Sequence, residues 1–175
     1  MRKFSLLLLL VLVCFQVNAE SGVNYYLGAG DLISIRVFGE EELSFDQVRL
    51  SDGGIFTYPF IGQISASGKT AADIERILVE GLKGDYLIDP KVSVRIIEFR
   101  EFFVNGEVSK PGGYEFSPGM TVRKAVARAG GFTEWAAKNK VMLIRGHEND
   151  GEARAVDLDT PLMPGDIITV NQGLF

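Results

Sequence analysis

A few groups of residues have types and spacings that could carry chemistry. Gly68-Lys69-Thr70 has the ending of a phosphate-binding loop, in which backbone N–H groups cradle the phosphate and the lysine meets its charge. The glycine required five residues before Gly68 is absent; that place holds Gln63, and Gly62 stands one position too early. Helix capping by Thr70 accounts for the segment without a nucleotide. His147 is the only histidine and sits among Glu148, Asn149 and Asp150. A metal would need further ligands at a recognisable spacing. Catalysis would need an orienting group and a nucleophile, and no G-x-S-x-G segment is present. A solvated loop tip explains the cluster.

Carboxylates and rings give the remaining candidates. Asp31 and Asp166 could be drawn as an acid pair. Each follows a glycine in an equivalent turn, where the side chain can tie down backbone amides. Glu40-Glu41-Glu42 lacks the alternating oxygen pattern of a calcium loop and reads as a solvated face. Asp85 and Asp89 flank Tyr86, so a sugar could stack there and be hydrogen-bonded; alternatively Tyr86 packs on a sheet. Trp135 follows Gly130-Gly131 and suits a sugar platform, a subunit contact or a lid on the core. No catalytic, cofactor-binding or metal-binding set is nominated from these residues.

The elements that must position them follow from periodicity. Gly28-Ala29-Gly30-Asp31 is a turn into the strand Leu32–Phe38, with Ile33, Ile35 and Val37 on one face. Phe45–Leu50 and Ile55–Phe60 are further strands, separated by Ser51-Asp52-Gly53-Gly54. Thr70 caps a helix with Asp73 as its capping-box partner, and Ile74, Ile77 and Leu78 form its buried stripe. Gly81 and Gly84 loosen its end. Lys91–Ile96 alternates, with Val92, Val94 and Ile96 inward. Beyond Phe99, Phe102-Phe103-Val104 runs into Asn105-Gly106, a tight-turn pair, and Lys110-Pro111-Gly112-Gly113 is another turn. Thr121 caps a second helix, whose stripe is Val122, Ala125, Val126 and Ala129 and whose stop is Gly130-Gly131. Val141–Arg145, Ala153–Leu158 and Ile167–Val170 are the last strands, with His147–Gly151 as a polar hairpin tip.

The halves echo each other: Gly30-Asp31-Leu32-Ile33 against Gly165-Asp166-Ile167-Ile168, and Gly68-Lys69-Thr70 against Gly119-Met120-Thr121. The expected class is α+β: two small β-rich units, each with one packed helix, meeting near residues 97–101.

The start of the chain sets its destination. Arg2 and Lys3 precede the apolar run Leu6–Val13, and Val17-Asn18-Ala19 supplies a small-residue cleavage site. Residues 1–19 read as a secretion signal, with a retained anchor as the alternative. Cys14, the only cysteine, follows Val13, a poor lipidation context; it reads as part of the apolar core, lipidation being the alternative. If it leaves with the signal, no disulfide or thiol chemistry remains. The formal net charge of −5 becomes −7 once Arg2 and Lys3 are removed. No basic block is left to hold nucleic acid.

Taken in order, these motifs resemble the bacterial outer-membrane polysaccharide export proteins, the Wza-like group. Tyr26–Asp31, Val48–Gly53, Tyr58–Gly62, Gly68-Lys69-Thr70 and Tyr86–Val92 resemble the polysaccharide export sequence domain, placed at residues 20–98. Val104–Val108, Lys110-Pro111-Gly112, Ala129–Phe132 and Leu162–Ile168 resemble a soluble ligand-binding β-grasp (SLBB) domain, placed at 99–175. The resemblance implies a non-enzymatic role in capsule or exopolysaccharide export. It implies a periplasmic location beside the outer membrane, polysaccharide as cargo, a homo-oligomeric ring and an inner-membrane polysaccharide co-polymerase as partner. Because the sequence stops at Phe175 with no amphipathic helix behind it, the expectation is a periplasmic ring or adaptor feeding a separate outer-membrane β-barrel. The rival reading is a monomeric carbohydrate- or small-ligand-binding module.

Overall fold

The computed structural model describes residues 25–146 and 151–173. The signal segment with Cys14, and the tip residues His147, Glu148, Asn149 and Asp150, lie outside the described residues. The chain begins with β1 (Leu32–Val37), β2 (Glu40–Arg49), β3 (Ile55–Tyr58), β4 (Gly62–Ser65), α1 (Ala71–Leu82) and β5 (Val92–Glu98). It continues with β6 (Phe102–Gly106), β7 (Gly112–Tyr114), α2 (Val122–Arg128), β8 (Ala136–Ile144), β9 (Arg154–Val156) and β10 (Ile167–Gln172). This is an α+β fold with two hydrophobic cores. Among the described residues, no helix is long and apolar enough to cross a membrane.

The first core forms where β1 lies between β2 and β5 in an antiparallel three-stranded sheet. Alternation puts Ile33, Ile35 and Val37 inward, where all are buried. Helix α1 covers them through Ile74, Leu78 and Leu82, one helical turn apart and fully buried. Each such side chain contributes roughly 1.5–3 kcal/mol on leaving water. The Thr70 hydroxyl accepts from the Asp73 N–H at 3.2 Å and the Asp73 carboxylate accepts from the Thr70 N–H at 3.0 Å. The expected capping box is therefore present. From the same helix, the Glu75 carboxylate accepts from the Val94 N–H at 2.8 Å, on the side of β5 away from β1.

The second core centres on β10, which pairs with β6 in parallel and β8 antiparallel within a five-stranded mixed sheet. Val122, Ala125, Val126 and Ala129 pack on Phe102, Val104, Val141, Leu143, Ile168 and Val170. The Thr121 hydroxyl accepts from the Lys124 N–H, at a longer 3.4 Å. One helix held on a mixed sheet is the arrangement expected of a β-grasp-like unit.

Several expectations need correction. Strand β2 starts at Glu40, not Phe45, because Phe38-Gly39 is a two-residue turn that brings Val37 opposite Glu40. The three glutamates are thus exposed strand residues. Ile55–Phe60 ends at Tyr58 and returns as β4, with Phe60 and Gly62 both at positive φ in the turn. Gly81 stands inside the last turn of α1, where a Cβ would come within 2.7 Å of Ile61 Cδ1; close packing, not helix ending, accounts for it. Asn105-Gly106 is no tight hairpin turn: both residues lie in β6, opposite Thr169 and Val170 of β10. Gly106 takes φ +81°, and the Val170 carbonyl leaves no room for a side chain. Gly112 and Gly113 likewise belong to β7, and β8 begins five residues before Val141. A pattern of polar residues, Lys138-Asn139-Lys140, concealed that start.

Candidate functional site

Two carboxylates, Asp31 and Asp166, are completely buried. Burying a charge demands partners, and each has the same kind. Asp31 accepts from the Gly28 N–H three residues back at 2.8 Å, and Asp166 from the Met163 N–H three residues back at 2.9 Å. Each also faces an arginine at the end of the antiparallel neighbour strand. Arg100 Nη1 lies 3.3 Å from Asp31, and Arg145 Nη1 lies 2.7 Å from Asp166. A further backbone N–H completes each set: Arg100 to Asp31 at 2.8 Å and Gly146 to Asp166 at 3.1 Å.

The first set extends further. The Tyr25 hydroxyl donates to Asp31 at 2.6 Å and accepts from Arg100 at 3.1 Å, while the guanidinium lies 5.6 Å from the Tyr25 ring centre. Burial, then the bond to Asp31 and its charge, hold the Tyr25 hydroxyl well above the ordinary tyrosine range, with Arg100 opposing. Arg100 reaches its place between glycines of both cores. A Cβ on Gly28 would strike its guanidinium, and a Cβ on Gly165 would come within 2.6 Å of its Nε. The connecting segment is in turn held to the second core, the Gly165 N–H donating to the Glu101 carbonyl at 3.0 Å and the Phe103 N–H to the Asp166 carbonyl at 2.9 Å. Phe99 stands edge-on to Tyr25 at 5.0 Å and to Phe116 at 5.4 Å. A cleft of about 1170 Å³ opens over this junction, lined among others by Tyr26, Arg49, Ile97, Glu98, Phe103 and Phe116. It combines exposed rings with the Arg49–Glu98 ion pair at 2.9 Å.

The sequence-predicted candidates fall as follows. Asp31 and Asp166 are not an acid–base pair; their oxygens are filled by amides and separate arginines. In the Gly68-Lys69-Thr70 loop the amides are committed: Gly68 N–H donates to Leu27, Lys69 N–H to Ala66, and Thr70 N–H to Asp73. No phosphate cradle remains there. Tyr86 does not pack on the sheet; it is half exposed and stacks on exposed Phe60, ring centres 4.5 Å apart. Trp135 is half exposed at the start of β8. Among the described residues no three His, Cys, Asp or Glu side chains converge as metal ligands.

Sequence reading missed Tyr25, Arg100 and Arg145. The usable signal was the demand of a buried Gly-Asp carboxylate for a cation. An arginine stands just beyond one antiparallel neighbour of each Gly-Asp strand, Arg100 after β5 and Arg145 after β8.

Comparison with known proteins adds a description to this geometry. Residues 19–97 match the family model described as polysaccharide biosynthesis/export protein, and residues 102–157 match the SLBB domain. The exopolysaccharide production protein ExoF of Rhizobium meliloti is 32 % identical over 165 residues, covering 87 % of this chain and 38 % of ExoF. The EPS I polysaccharide export outer membrane protein EpsA of Ralstonia nicotianae is 29 % identical over 148 residues, covering 70 % of this chain and 39 % of EpsA. The chain therefore spans less than two-fifths of the length of these relatives.

Proposed function

Because the chain belongs to the polysaccharide biosynthesis/export proteins, with an SLBB domain behind the export domain, we propose that it conducts polysaccharide export across the bacterial envelope. In this reading Met1–Ala19 directs it to the periplasm, residues 20–98 are the export domain and residues 99–175 the SLBB domain. Copies assemble into a ring or adaptor that takes polymer from synthesis at an inner-membrane polysaccharide co-polymerase and passes it to an outer-membrane channel. No bond in the polymer is made or broken by this chain. The names of ExoF and EpsA, an exopolysaccharide production protein and an outer membrane export protein, support that assignment.

The observation that carries the reading is the Arg100 junction. A passage wall must keep its shape while a long polymer slides along it. Arg100, partly buried between two Gly-Asp turns, bonds Asp31 of the first core by side chain and backbone and passes against Gly165 of the second, while the neighbouring Phe99 bridges Tyr25 and Phe116. Deletion of the gene in its host tests the role. Polymer should vanish from the medium while its synthesis continues and material collects inside the envelope; unchanged release would overturn it. A mass measurement without detergent across a concentration series tests the ring, which predicts a discrete multi-subunit species.

The junction cleft of about 1170 Å³ favours one rival, a monomeric module that binds a carbohydrate or other small ligand. A monomer at every concentration that takes up a single oligosaccharide per chain would select it.

A further inference from the structure

Away from the junction, three loops of the first core meet at one end of its sheet and leave large apolar side chains in water. The β1–β2 turn contributes Phe38, 63 % exposed. The β3–β4 turn contributes Phe60, also 63 % exposed, and the segment after α1 contributes Tyr86 and Ile88, the latter 93 % exposed. Phe38, Glu40, Tyr86, Leu87, Ile88 and Asp89 line a groove of about 370 Å³, and Phe60 stacks on Tyr86 beside it.

Phe60 is a second, independent pointer. It is the one non-glycine residue at positive φ among the described residues, at +66°. A bulky side chain there strains the backbone. Glycine would relieve it, and the ring is not used for the core. Strain kept to hold an apolar ring in water points to something that covers the ring.

Charge selects the occupant. The two segments that carry Phe38, Tyr86 and Ile88 hold exposed Glu40, Glu41, Glu42, Asp85 and Asp89 against only Lys83 and Lys91. An anionic lipid surface would be repelled. Ile88 offers neither the flat face nor the hydrogen bond that a sugar uses. We propose that this surface docks a basic amphipathic helix of a partner protein, its apolar stripe on Phe38, Phe60, Tyr86 and Ile88 and its lysines or arginines on the surrounding carboxylates. This goes beyond the export reading and does not depend on it, since no polymer takes part.

The test is calorimetric titration of the purified secreted chain with a synthetic 18-residue leucine–lysine amphipathic helix. The same helix with glutamate for lysine, phosphatidylcholine vesicles and cello-oligosaccharides serve as comparisons. One leucine–lysine helix per chain is expected, weakened at least tenfold by Phe60→Gly and by Ile88→Ser, with no binding of the glutamate helix. Phe60→Gly suits the backbone at that position and Ile88 touches almost nothing, so both variants should fold; an unchanged melting curve checks this. Absence of saturable binding, affinity indifferent to both substitutions, or equal binding of the glutamate helix would overturn the proposal. So would vesicles or oligosaccharides that bind in a Phe60-dependent manner.

Discussion

The two Gly-Asp turns are built from one set of parts and do different jobs. In each, a leucine four residues before the aspartate donates its N–H to the residue before a helix-capping threonine. Leu27 bonds Lys69 at 2.8 Å and Leu162 bonds Met120 at 3.0 Å. In each, the aspartate opens the central strand of its sheet, β1 or β10. The parts come in the same cyclic order but are cut at different points: Gly-Asp strand, capped helix, arginine strand in the first core; capped helix, arginine strand, Gly-Asp strand in the second. The difference lies in the arginine. Arg145 stays inside its own core, bonding Asp166 and the Pro161 carbonyl. Arg100 supplies both side chain and backbone N–H to Asp31 and passes against Gly165 of the other core. A local staple thus becomes a coupling between cores when its cation is set on the connecting segment.

The largest break in this comparison is at the carboxylates. Asp31→Ala should cost roughly 3–5 kcal/mol, as does removal of one member of a buried pair, measured by urea unfolding. It should also split a single calorimetric transition into two, because the coupling goes with it. Asp166→Ala should cost a similar amount without that split. A split from both, or from neither, would show that Arg100 and Arg145 act alike.

Next in size is Gly165→Ala. The φ of +86° and the approach of Arg100 Nε predict a loss of about 1–3 kcal/mol. Part of it should return when Arg100 is also changed to alanine, while Gly131→Ala, with open space around its Cβ at the same φ, should show backbone strain alone and no such coupling.

Tyr25 sharpens the contrast through pH. Its hydroxyl is held protonated in the fold, whereas the unfolded chain releases that proton near the ordinary value of 10.0. Above that pH the native state holds the extra proton, so stability falls as pH rises. Tyr25→Phe should flatten the decline between pH 10 and 12, followed by unfolding at each pH. Tyr58, also raised by burial, would leave a residual slope.

The smallest effect separates the two helix caps. Thr70→Ala removes a complete capping box and should cost about 1 kcal/mol. Thr121→Ala removes one 3.4 Å bond and should cost only a few tenths of that scale. Equal losses would show that the reciprocal Asp73 bond adds nothing.

What could be read in advance was what local chemistry dictates. The strand Leu32–Val37, both caps, the buried stripes and the amide-binding role of Asp31 and Asp166 all depend on neighbours within a few residues. What escaped depends on distant partners. The ring of Tyr25 and the guanidinium of Arg100 gain their meaning from Asp31, up to 69 residues away. Asn105-Gly106 looked like a turn because its pairing strand, β10, lies more than sixty residues on. Glu40–Glu42 read as a solvated face, as they are, but their place in β2 was missed because an edge strand with water on its outer side needs no apolar alternation.

One hydrogen bond has a consequence for how this molecule could grow. A sheet edge is an open template for another strand. On β5 the Val94 N–H is already taken by Glu75, whereas β2 forms the opposite border of the sheet. At that point a strand added to β5 would have to displace Glu75, whereas the β2 border begins with three exposed glutamates. Both borders of the sheet thus carry carboxylates, and a second copy paired glutamate against glutamate along β2 would meet like charge.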